Sequence, residues 1–555
     1  MLGVCMNSLT LLIAVIAWFA IGYFIYSKFL ERTLIKTNDK NKTPANFKKG
    51  IDLKKSKKIF LFGHHFASIA GAGPIIGPIL AVSFFGWLGV VLWIAIGSFF
   101  IGAIHDYLSL MVSVRNQGKG IAKISEKVTG KKAFYVFSAL LCATLILIIT
   151  VFSVSAAQSL IEVPELVIPF FGITFTAIFL GLAIYKFNKS KVLSSFVAIL
   201  LTIFFILLGI AFPISLPFSA YVSNIIWLVV LFIYALVVSL IPVWVVLQPR
   251  DYISATSLFM FLFLGMISII IVRPIMNAPA HIPYSISQIP LWPILFITVA
   301  CGAISGFHSL ISSGTTSKQL EKESDGRFIG YGGMLAEGIV ALLVVIFVGA
   351  GLKWGTGVGL NFFQNAFSAG WIIAFGQGFA NIVNSAFSFL PIPLLIILGA
   401  LIVNIFILTS LDTSTRIGRM IFSEALSKKS KLNNQFLLTL AILIPAFLLA
   451  ITNSYSTLWR LFGSSNQLIA AIVLIAISAY LIKKGKSVWY VLIPGIFMII
   501  TTIAALLYQL FSKAGYLFGE FNLALAVISI VLILFAVFVF VEIFSKMKNR
   551  FFLLK

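Results

Sequence analysis

The sequence contains few charged residues and very few acids. Charged side chains make up 10% of the 555 residues and only 16 residues are acidic, whereas hydrophobic residues make up 60%. The mean hydropathy is +1.10. A soluble domain does not have this composition, so the chain is predicted to be an all-α polytopic membrane protein.

Cysteine is also scarce. Cys5, Cys142 and Cys301 all lie in apolar runs and have no metal-type spacing, so no disulfide framework is indicated. The sequence has no Walker motif, so we do not expect ATP to drive it, and no cofactor is predicted. The first apolar run lacks a basic flank and a cleavage site, which favours a retained span over a signal peptide.

Basic residues are plentiful, and the net charge is +24. Such a charge is compatible with nucleic-acid binding, but its distribution argues against that. Sixteen apolar runs are present, and if fifteen of them span the bilayer, 36 of the 40 Lys and Arg fall on one side. The positive-inside rule then predicts an external N-terminus and a cytoplasmic C-terminus in a bacterial or archaeal cytoplasmic membrane. The run expected not to span is 371–390, interpreted with the preceding loop as an external or re-entrant hairpin over 355–390.

The pattern divides the chain into four regions. They are an N-terminal transmembrane helix over 1–30, a basic cytoplasmic linker over 31–58, a core over 59–484, and C-terminal transmembrane helices with a cytoplasmic tail over 485–555. Lysines spaced four apart within 116–132 predict a short amphipathic helix. This helix and the linker are expected to rest against anionic lipid headgroups.

One apolar run is interrupted by residues that a simple spanning helix would not carry. The stretch from Gly63 to Pro78 contains two adjacent histidines, four glycines and two prolines. Such a stretch predicts a discontinuous helix lining a substrate site. The alternative is a glycine-rich helix packed tightly on its neighbour, with its histidines hydrogen-bonded. The candidate substrate-binding residues here are Gly63, His64, His65, Ser68, Gly71 and Gly73.

A second interrupted run, from Cys301 to Thr316, has a related pattern. Gly306, His308 and Gly314 have the same spacing as Gly63, His65 and Gly71. Two interrupted spans in the two halves of a membrane protein indicate a transport site. The candidate substrate-binding residues in this stretch are Ser305, Gly306, His308, Ser309, Ser312, Ser313 and Gly314.

Ionisable residues inside apolar runs are candidates for carrying protons, because such residues are costly in a membrane. His65, His105, Asp106, His308 and Glu337 form this set. Neighbours on a helix point about 100° apart, so His105 and Asp106 are expected to face different surroundings. The alternative roles are structural: Asp106 could hold the basic loop through Arg115 or a helix N-terminus, and Glu337 could bind unwound backbone.

A hydroxyl-rich stretch from Leu408 to Arg419 offers a second type of ion site. Thr409, Ser410, Asp412 and Thr413 are candidate ligands for Na⁺. The same residues are equally compatible with hydrogen bonds between helices. Asp412 could also pair with Arg416 one turn later.

Several blocks together resemble the carbon starvation protein family, CstA. They are Phe62–Ala67 with Gly71–Pro74, Gly102–Asp106, Ser305–Thr316, Asp412–Arg419, Leu461–Gly463 and Asn466–Gln467, in that order. The resemblance covers about Ile59 to Lys484. It implies an inner-membrane transporter associated with carbon starvation and with uptake of peptides or, in one branch, of pyruvate with protons. The implied core has two inverted repeats of five helices, each beginning with a broken helix, as in the amino acid–polyamine–organocation superfamily.

The chain departs from that pattern in two ways. Seven helix starts separate the two broken helices instead of five, so two spans, expected at 222–247 and 255–272, are inserted. Arg460 also stands where the family pattern has proline.

The predicted function is secondary active transport of a small nutrient, either a peptide or a pyruvate-like carboxylate. Protons are the expected coupling ion and sodium is the alternative. Half-helix N-termini at the two breaks would attract a substrate carboxylate. His64, His65 or His308 would sense protonation, with Asp106 or Glu337 as a second proton site. The alternatives are a membrane-embedded metal-dependent enzyme or a nutrient sensor, with His64, His65, His308 and Asp106 as metal ligands.

Overall fold

The computed structural model describes residues 6–47, 55–242, 245–355, 370–426, 434–452, 455–513, 515–519 and 521–551. Over these residues the chain is helical and forms no strand, apart from two isolated bridges, Asn7 with Ile275 and Ser56 with Leu320. This confirms the all-α prediction.

The first half of the chain contains ten helices. They are α1 (Ser8–Ile35), α2 (Lys58–Ile69), α3 (Gly73–Phe85), α4 (Trp87–Arg115), α5 (Ile121–Thr129), α6 (Lys131–Glu162), α7 (Pro164–Ile184), α8 (Lys191–Ala211), α9 (Ala220–Leu240) and α10 (Leu247–Val272). Two single turns, Pro44–Phe47 and Tyr284–Ser287, lie in connections.

The second half contains nine helices within the described ranges. They are α11 (Leu291–Thr298), α12 (Gly306–Gly314), α13 (Arg327–Gly351), α14 (Trp371–Ala386), α15 (Ile392–Ala425), α16 (Gln435–Thr452), α17 (Tyr455–Lys483), α18 (Trp489–Phe511) and α19 (Leu523–Phe551). The expected hairpin over 355–390 lies partly outside the described residues, and its described part is the 16-residue α14.

The described chain has 13 helices long and apolar enough to cross a membrane, or 14 when the bent pair α2–α3 counts as one span. The expected count of fifteen is therefore slightly too high. The difference arises at 291–313, where the apolar run is divided between the short helices α11 and α12. Each piece is too short to cross a bilayer, and apolar composition alone does not reveal this division.

The first predicted break is present between α2 and α3, whose axes differ by 44°. Pro74 lies in the first turn of α3 and cannot donate a backbone hydrogen bond, so it suits a new helix start. Gly71 lies against Ser410, and Gly73 lies against Cys301 of the second break. A side chain at either glycine would collide with these neighbours, so the glycines permit the close contact.

The second predicted break separates α11 from α12. Gly302 approaches the Ala341 side chain on α13, and Gly306 packs against the backbone oxygen of Asn466 and the side chain of Ile469 on α17. The contact between Gly73 and Cys301 brings the two breaks together. The two interrupted runs are therefore neighbours in space, although more than 220 residues separate them in sequence.

The buried fraction of each helix distinguishes central helices from peripheral ones. Within their apolar windows α13 and α17 are 89% and 94% buried, whereas α8 is 22% buried. Large hydrophobic residues of α8, such as Leu193, Phe196 and Phe204, are exposed. Because lipid tails solvate such surfaces, α8 lies at the lipid-facing periphery and the core is built around α13 and α17.

Two glycines of α12 are expected to respond differently to substitution by alanine. We expect Gly306→Ala to destabilise the protein by about 1–3 kcal/mol, because the new methyl group would meet backbone of α17. Gly314→Ala is the matched control on the same helix, since no atom lies within 4 Å of the place that its new methyl group would occupy. Thermal unfolding in detergent measures both. Equal melting temperatures for the two variants would contradict the tight packing at Gly306.

Candidate functional site

Four ionisable side chains form a continuous buried chain at the centre of the protein. Asp106 Oδ1 lies 2.9 Å from His105 Nδ1, and Asp106 Oδ2 lies 2.8 Å from His308 Nδ1. On its other side, His308 Nε2 lies 3.3 Å from Glu337 Oε2. All four side chains are fully buried. An imidazole is thus placed between two carboxylates, and we call these four residues the central cluster.

The central cluster joins three helices. Asp106 and His105 lie on α4 just after a π-helical segment, Ser98–Gly102, which displaces the following turn. His308 lies in the first turn of α12, directly after the second break. Glu337 lies on α13. The arrangement depends on the break, because α12 begins between the other two helices.

Two structural expectations for Asp106 are wrong. His105 and Asp106 do not face different surroundings, since their side chains are hydrogen-bonded to each other. Asp106 does not hold the basic loop through Arg115. Arg115 instead makes two hydrogen bonds of 2.7 and 2.8 Å with Glu323.

Glu337 has an unusual environment for a buried acid. Neither carboxylate oxygen has a hydrogen-bond partner in the described part of the chain, although one lies at ion-pair distance from His308. The alternative in which Glu337 binds unwound backbone is therefore not observed. A buried carboxylate with a single imidazole neighbour is suited to exchange a proton with that neighbour.

The two adjacent histidines of α2 point to different partners. His65 is fully buried and its Nδ1 lies 2.9 Å from the Thr316 hydroxyl oxygen. His64 is partly exposed, and its Nδ1 lies 3.4 Å from Asp251 on α10. The Ser68 hydroxyl donates to the backbone oxygen of His64. His65 therefore lies near the second broken segment, whereas His64 links α2 to α10.

The hydroxyl groups of α12 mainly hold that helix in place. The Ser309 and Ser313 hydroxyls donate to backbone oxygens one turn earlier, and Ser313 Oγ also accepts from the Ile121 amide. Ser312 is different, because its buried hydroxyl has no partner among the described residues. Ser313 thus fastens the end of α12 to the start of α5.

The N-terminus of α12 is already occupied by a side chain. Asn466 of α17 accepts a 2.9 Å hydrogen bond from the Phe307 amide and donates to Ser305 Oγ at 2.9 Å. In this conformation the Phe307 amide is not available to a substrate carboxylate. The expectation that the N-terminus of this half-helix attracts a substrate carboxylate stays a prediction, which this cap does not favour.

The hydroxyl-rich end of α15 is organised by an ion pair that the sequence does not reveal. Asp412 is paired with Arg250 of α10, and Tyr234 of α9 donates to the same carboxylate oxygen at 3.1 Å. Arg416, which lies one turn after Asp412, donates to the Val238 and Ile241 carbonyl oxygens. The Thr409 hydroxyl donates to Ile405 one turn earlier. A sodium site at Thr409, Ser410, Asp412 and Thr413 remains a prediction that these contacts do not favour.

Sequence reasoning misses Tyr234, Arg250 and Asp251. On sequence alone Arg250 looks like a loop residue that marks topology, whereas it is fully buried within the first turn of α10. A usable signal exists, since Arg250 and Asp251 are the only charged residues between Lys191 and Arg273. An isolated pair of opposite charges in an apolar region indicates buried partners.

The described residues contain no group of three or more His, Cys, Asp or Glu side chains arranged to hold a metal ion. His64 and His65 lie in different surroundings, which separates two of the four ligands of the metal hypothesis.

The sequence model of the carbon starvation protein CstA matches residues 7–361 and 357–505. The chain belongs to the carbon starvation protein family. The peptide transporter CstA of Helicobacter pylori (strain ATCC 700392 / 26695) is 31% identical over 87% of this chain and 79% of its own length. That of Bacillus subtilis is 30% identical over 89% of each chain. The pyruvate/proton symporter BtsT of Escherichia coli is 29% identical over 94% of this chain and 84% of its own length.

A solved structure of the Eremococcus coleocola manganese transporter has a TM-score of 0.52 and 14% identity. The similarity covers 89% of this chain and 95% of that one, and it shows a shared fold. Membership of this family makes the protein a membrane transporter and not an enzyme. The inverted repeat, the domain boundaries and the roles of individual residues stay predictions.

The cap on α12 gives a test of the site geometry. We expect Asn466→Ala to lower the stability by about 0.5–2 kcal/mol, the usual value of a lost helix cap, because the Phe307 amide would remain buried without an acceptor. Asn466→Asp keeps an acceptor and serves as the comparison. Melting temperatures in detergent measure the difference. If Asn466→Ala is as stable as the wild type, Asn466 does not hold α12 in place.

Proposed function

We propose that this protein imports a small carboxylate-bearing nutrient together with protons, and that the central cluster carries the proton. The observation that supports this proposal most directly is the position of His308 between Asp106 and Glu337, with all three side chains fully buried. The peptide and pyruvate/proton transporters among the relatives support the same class of substrate.

Charge balance explains how the central cluster could carry a proton. A buried charge is costly unless a neighbour compensates it. One proton on His308 compensates Asp106, and a second on Glu337 leaves the three groups neutral. Loss of either proton leaves an uncompensated negative charge inside the protein. When the central cluster loses a proton, a change of conformation or of the group bound there therefore becomes favourable.

The position of the cluster connects protonation to the broken helices. One attachment of α12 to α4 is the contact between His308 and Asp106, and its strength depends on the charge of the imidazole. The break before α12 also touches the break before α3 through Cys301 and Gly73. Protonation of His308 is thus placed to change how the two breaks are held together.

The topology is part of the proposal. The distribution of Lys and Arg favours an external N-terminus and a cytoplasmic C-terminus in the bacterial or archaeal cytoplasmic membrane. With this orientation, the Arg115–Glu323 pair lies on the cytoplasmic side, where it joins the end of α4 to the segment between α12 and α13.

The direct test of this function is uptake by the purified protein in proteoliposomes. We expect labelled pyruvate or a labelled dipeptide to accumulate only when an inward proton gradient is present, because substrate and proton move together. An inward sodium gradient without a proton gradient tests the alternative ion. Accumulation of neither substrate under either gradient, by demonstrably folded protein, would overturn transport coupling and favour the nutrient-sensor alternative.

The proton site can be tested by removing charge without changing shape. We expect Glu337→Gln and Asp106→Asn each to reduce gradient-driven accumulation by about tenfold, within the range usual for coupling between two sites, because the proton would no longer be exchanged. Counterflow exchange of substrate, which needs no net proton movement, should survive better than accumulation.

The matched control for these variants is Glu323→Gln. Glu323 is also almost fully buried and paired with a cation, but it lies outside the membrane-spanning helices. We expect this control to retain the ratio of accumulation to counterflow, even if its stability falls. An equal loss of accumulation in all three variants would point to general instability and would remove the support for the central cluster as the proton site.

A further inference from the structure

A second buried polar site lies apart from the central cluster, where α2, α9, α10 and α15 meet. Arg250 is fully buried at this site and uses only Nη1, which is paired with Asp412 and donates to Tyr234 Oη at 2.7 Å. Its Nε and Nη2 have no hydrogen-bond partner within the described chain. We call Arg250, Asp412, Asp251 and His64 the arginine site.

The unpaired donors of Arg250 are not isolated. Asp412 is paired with Arg250, Asp251 follows Arg250 in the sequence, and His64 lies 3.4 Å from Asp251. Each of these three residues also keeps a buried atom without a hydrogen-bond partner among the described residues, namely Asp412 Oδ1, Asp251 Oδ1 and His64 Nε2. Leaving a buried donor or acceptor unpaired is destabilising, and the cost is larger for charged groups. A structural ion pair alone would not need these unpaired atoms, so their number indicates that an additional polar group can bind here.

The geometry of a guanidinium group identifies the class of ligand. Nε and one terminal nitrogen form a planar fork that matches the two oxygens of a carboxylate. Arg250 also lies in the first turn of α10, a helix of 26 residues whose positive end favours an anion.

A second guanidinium group lies close to the arginine site. Arg416 follows Asp412 by one turn on α15 and donates to the Val238 and Ile241 carbonyl oxygens at the end of α9. Its positive charge acts on the Asp412 carboxylate, so Arg250 does not balance the carboxylates of Asp412 and Asp251 alone.

We propose that Arg250 binds the carboxylate of the transported substrate through its Nε and Nη2 atoms. This inference rests on the proposed import of a carboxylate-bearing nutrient and names the residue that recognises it. Asp412 then acts as an electrostatic competitor of the substrate, because its negative charge at Nη1 repels a second anion at Nε and Nη2 of the same guanidinium group. Where the substrate also carries an ammonium group, Asp251 Oδ1 supplies a free acceptor next to it.

The inference is tested by ligand binding to the full-length purified protein in detergent. The probes are pyruvate, the dipeptide Ala-Ala and Ala-Ala amide, which lacks the carboxylate. We expect the carboxylate-bearing substrate to bind and the amide to bind at least tenfold more weakly. Arg250→Lys keeps the charge but loses the planar fork, and we expect it to weaken carboxylate binding by roughly tenfold or more. The matched control is Arg419→Lys, which should bind like the wild type.

A second variant protects the test against simple misfolding. Asp412→Asn keeps the size of the side chain and an acceptor oxygen but removes the negative charge that competes with the substrate. We expect it to bind the carboxylate several-fold more tightly, an outcome that loss of stability would not produce. Weaker binding by this variant would overturn the competitor role of Asp412.

The outcomes separate this inference from the proposed function. If the wild type accumulates a carboxylate in proteoliposomes but Arg250→Lys binds it within twofold of the wild type, the role of Arg250 is overturned and import stands. If the wild type neither binds nor accumulates pyruvate or Ala-Ala, the proposed function fails and this inference fails with it.

Discussion

The structure depends on one constraint, the cost of burying charge where no water is available to compensate it. Asp106, His308 and Glu337 satisfy this constraint only as a set, because all three are fully buried and His308 lies between the two carboxylates. The three residues come from α4, α12 and α13. The positions of three helices are therefore tied to the protonation of one imidazole.

The short helix α12 is held both by neutral hydrogen bonds and by contacts between ionisable groups. Asn466 caps its first turn, His308 joins it to Asp106, and Ser313 fastens its end to Ile121. The first and last of these are neutral hydrogen bonds, whereas the second is a contact between ionisable groups. Of the three attachments, the one at His308 is the one whose strength a proton changes. A helix held in this way can respond to a proton without the loss of its other attachments.

The sequence is sufficient to predict the helical membrane fold, both breaks and the buried ionisable residues of the central cluster. The sequence does not reveal how the buried ionisable residues pair, because Asp106 and His308 are 202 residues apart and Arg250 and Asp412 are 162 residues apart. The helical angle between neighbours leads to a wrong expectation for His105 and Asp106, because long side chains can bend toward each other. Sequence reasoning does not identify Arg250 as a buried site residue, because an arginine beside a proline resembles a loop residue that marks the cytoplasmic side.

The two polar sites reach different halves of the same junction. The arginine site contacts the first broken segment through His64 and Asp251, and the central cluster contains His308 of the second broken segment. The two segments meet where Gly73 packs against Cys301, a contact too close to accommodate a larger residue at Gly73. A carboxylate bound at Arg250 and a proton bound at His308 would therefore act on opposite sides of one close contact. Coupling between substrate and proton then requires no direct bond between them, because each ligand changes how one of the two touching segments is held.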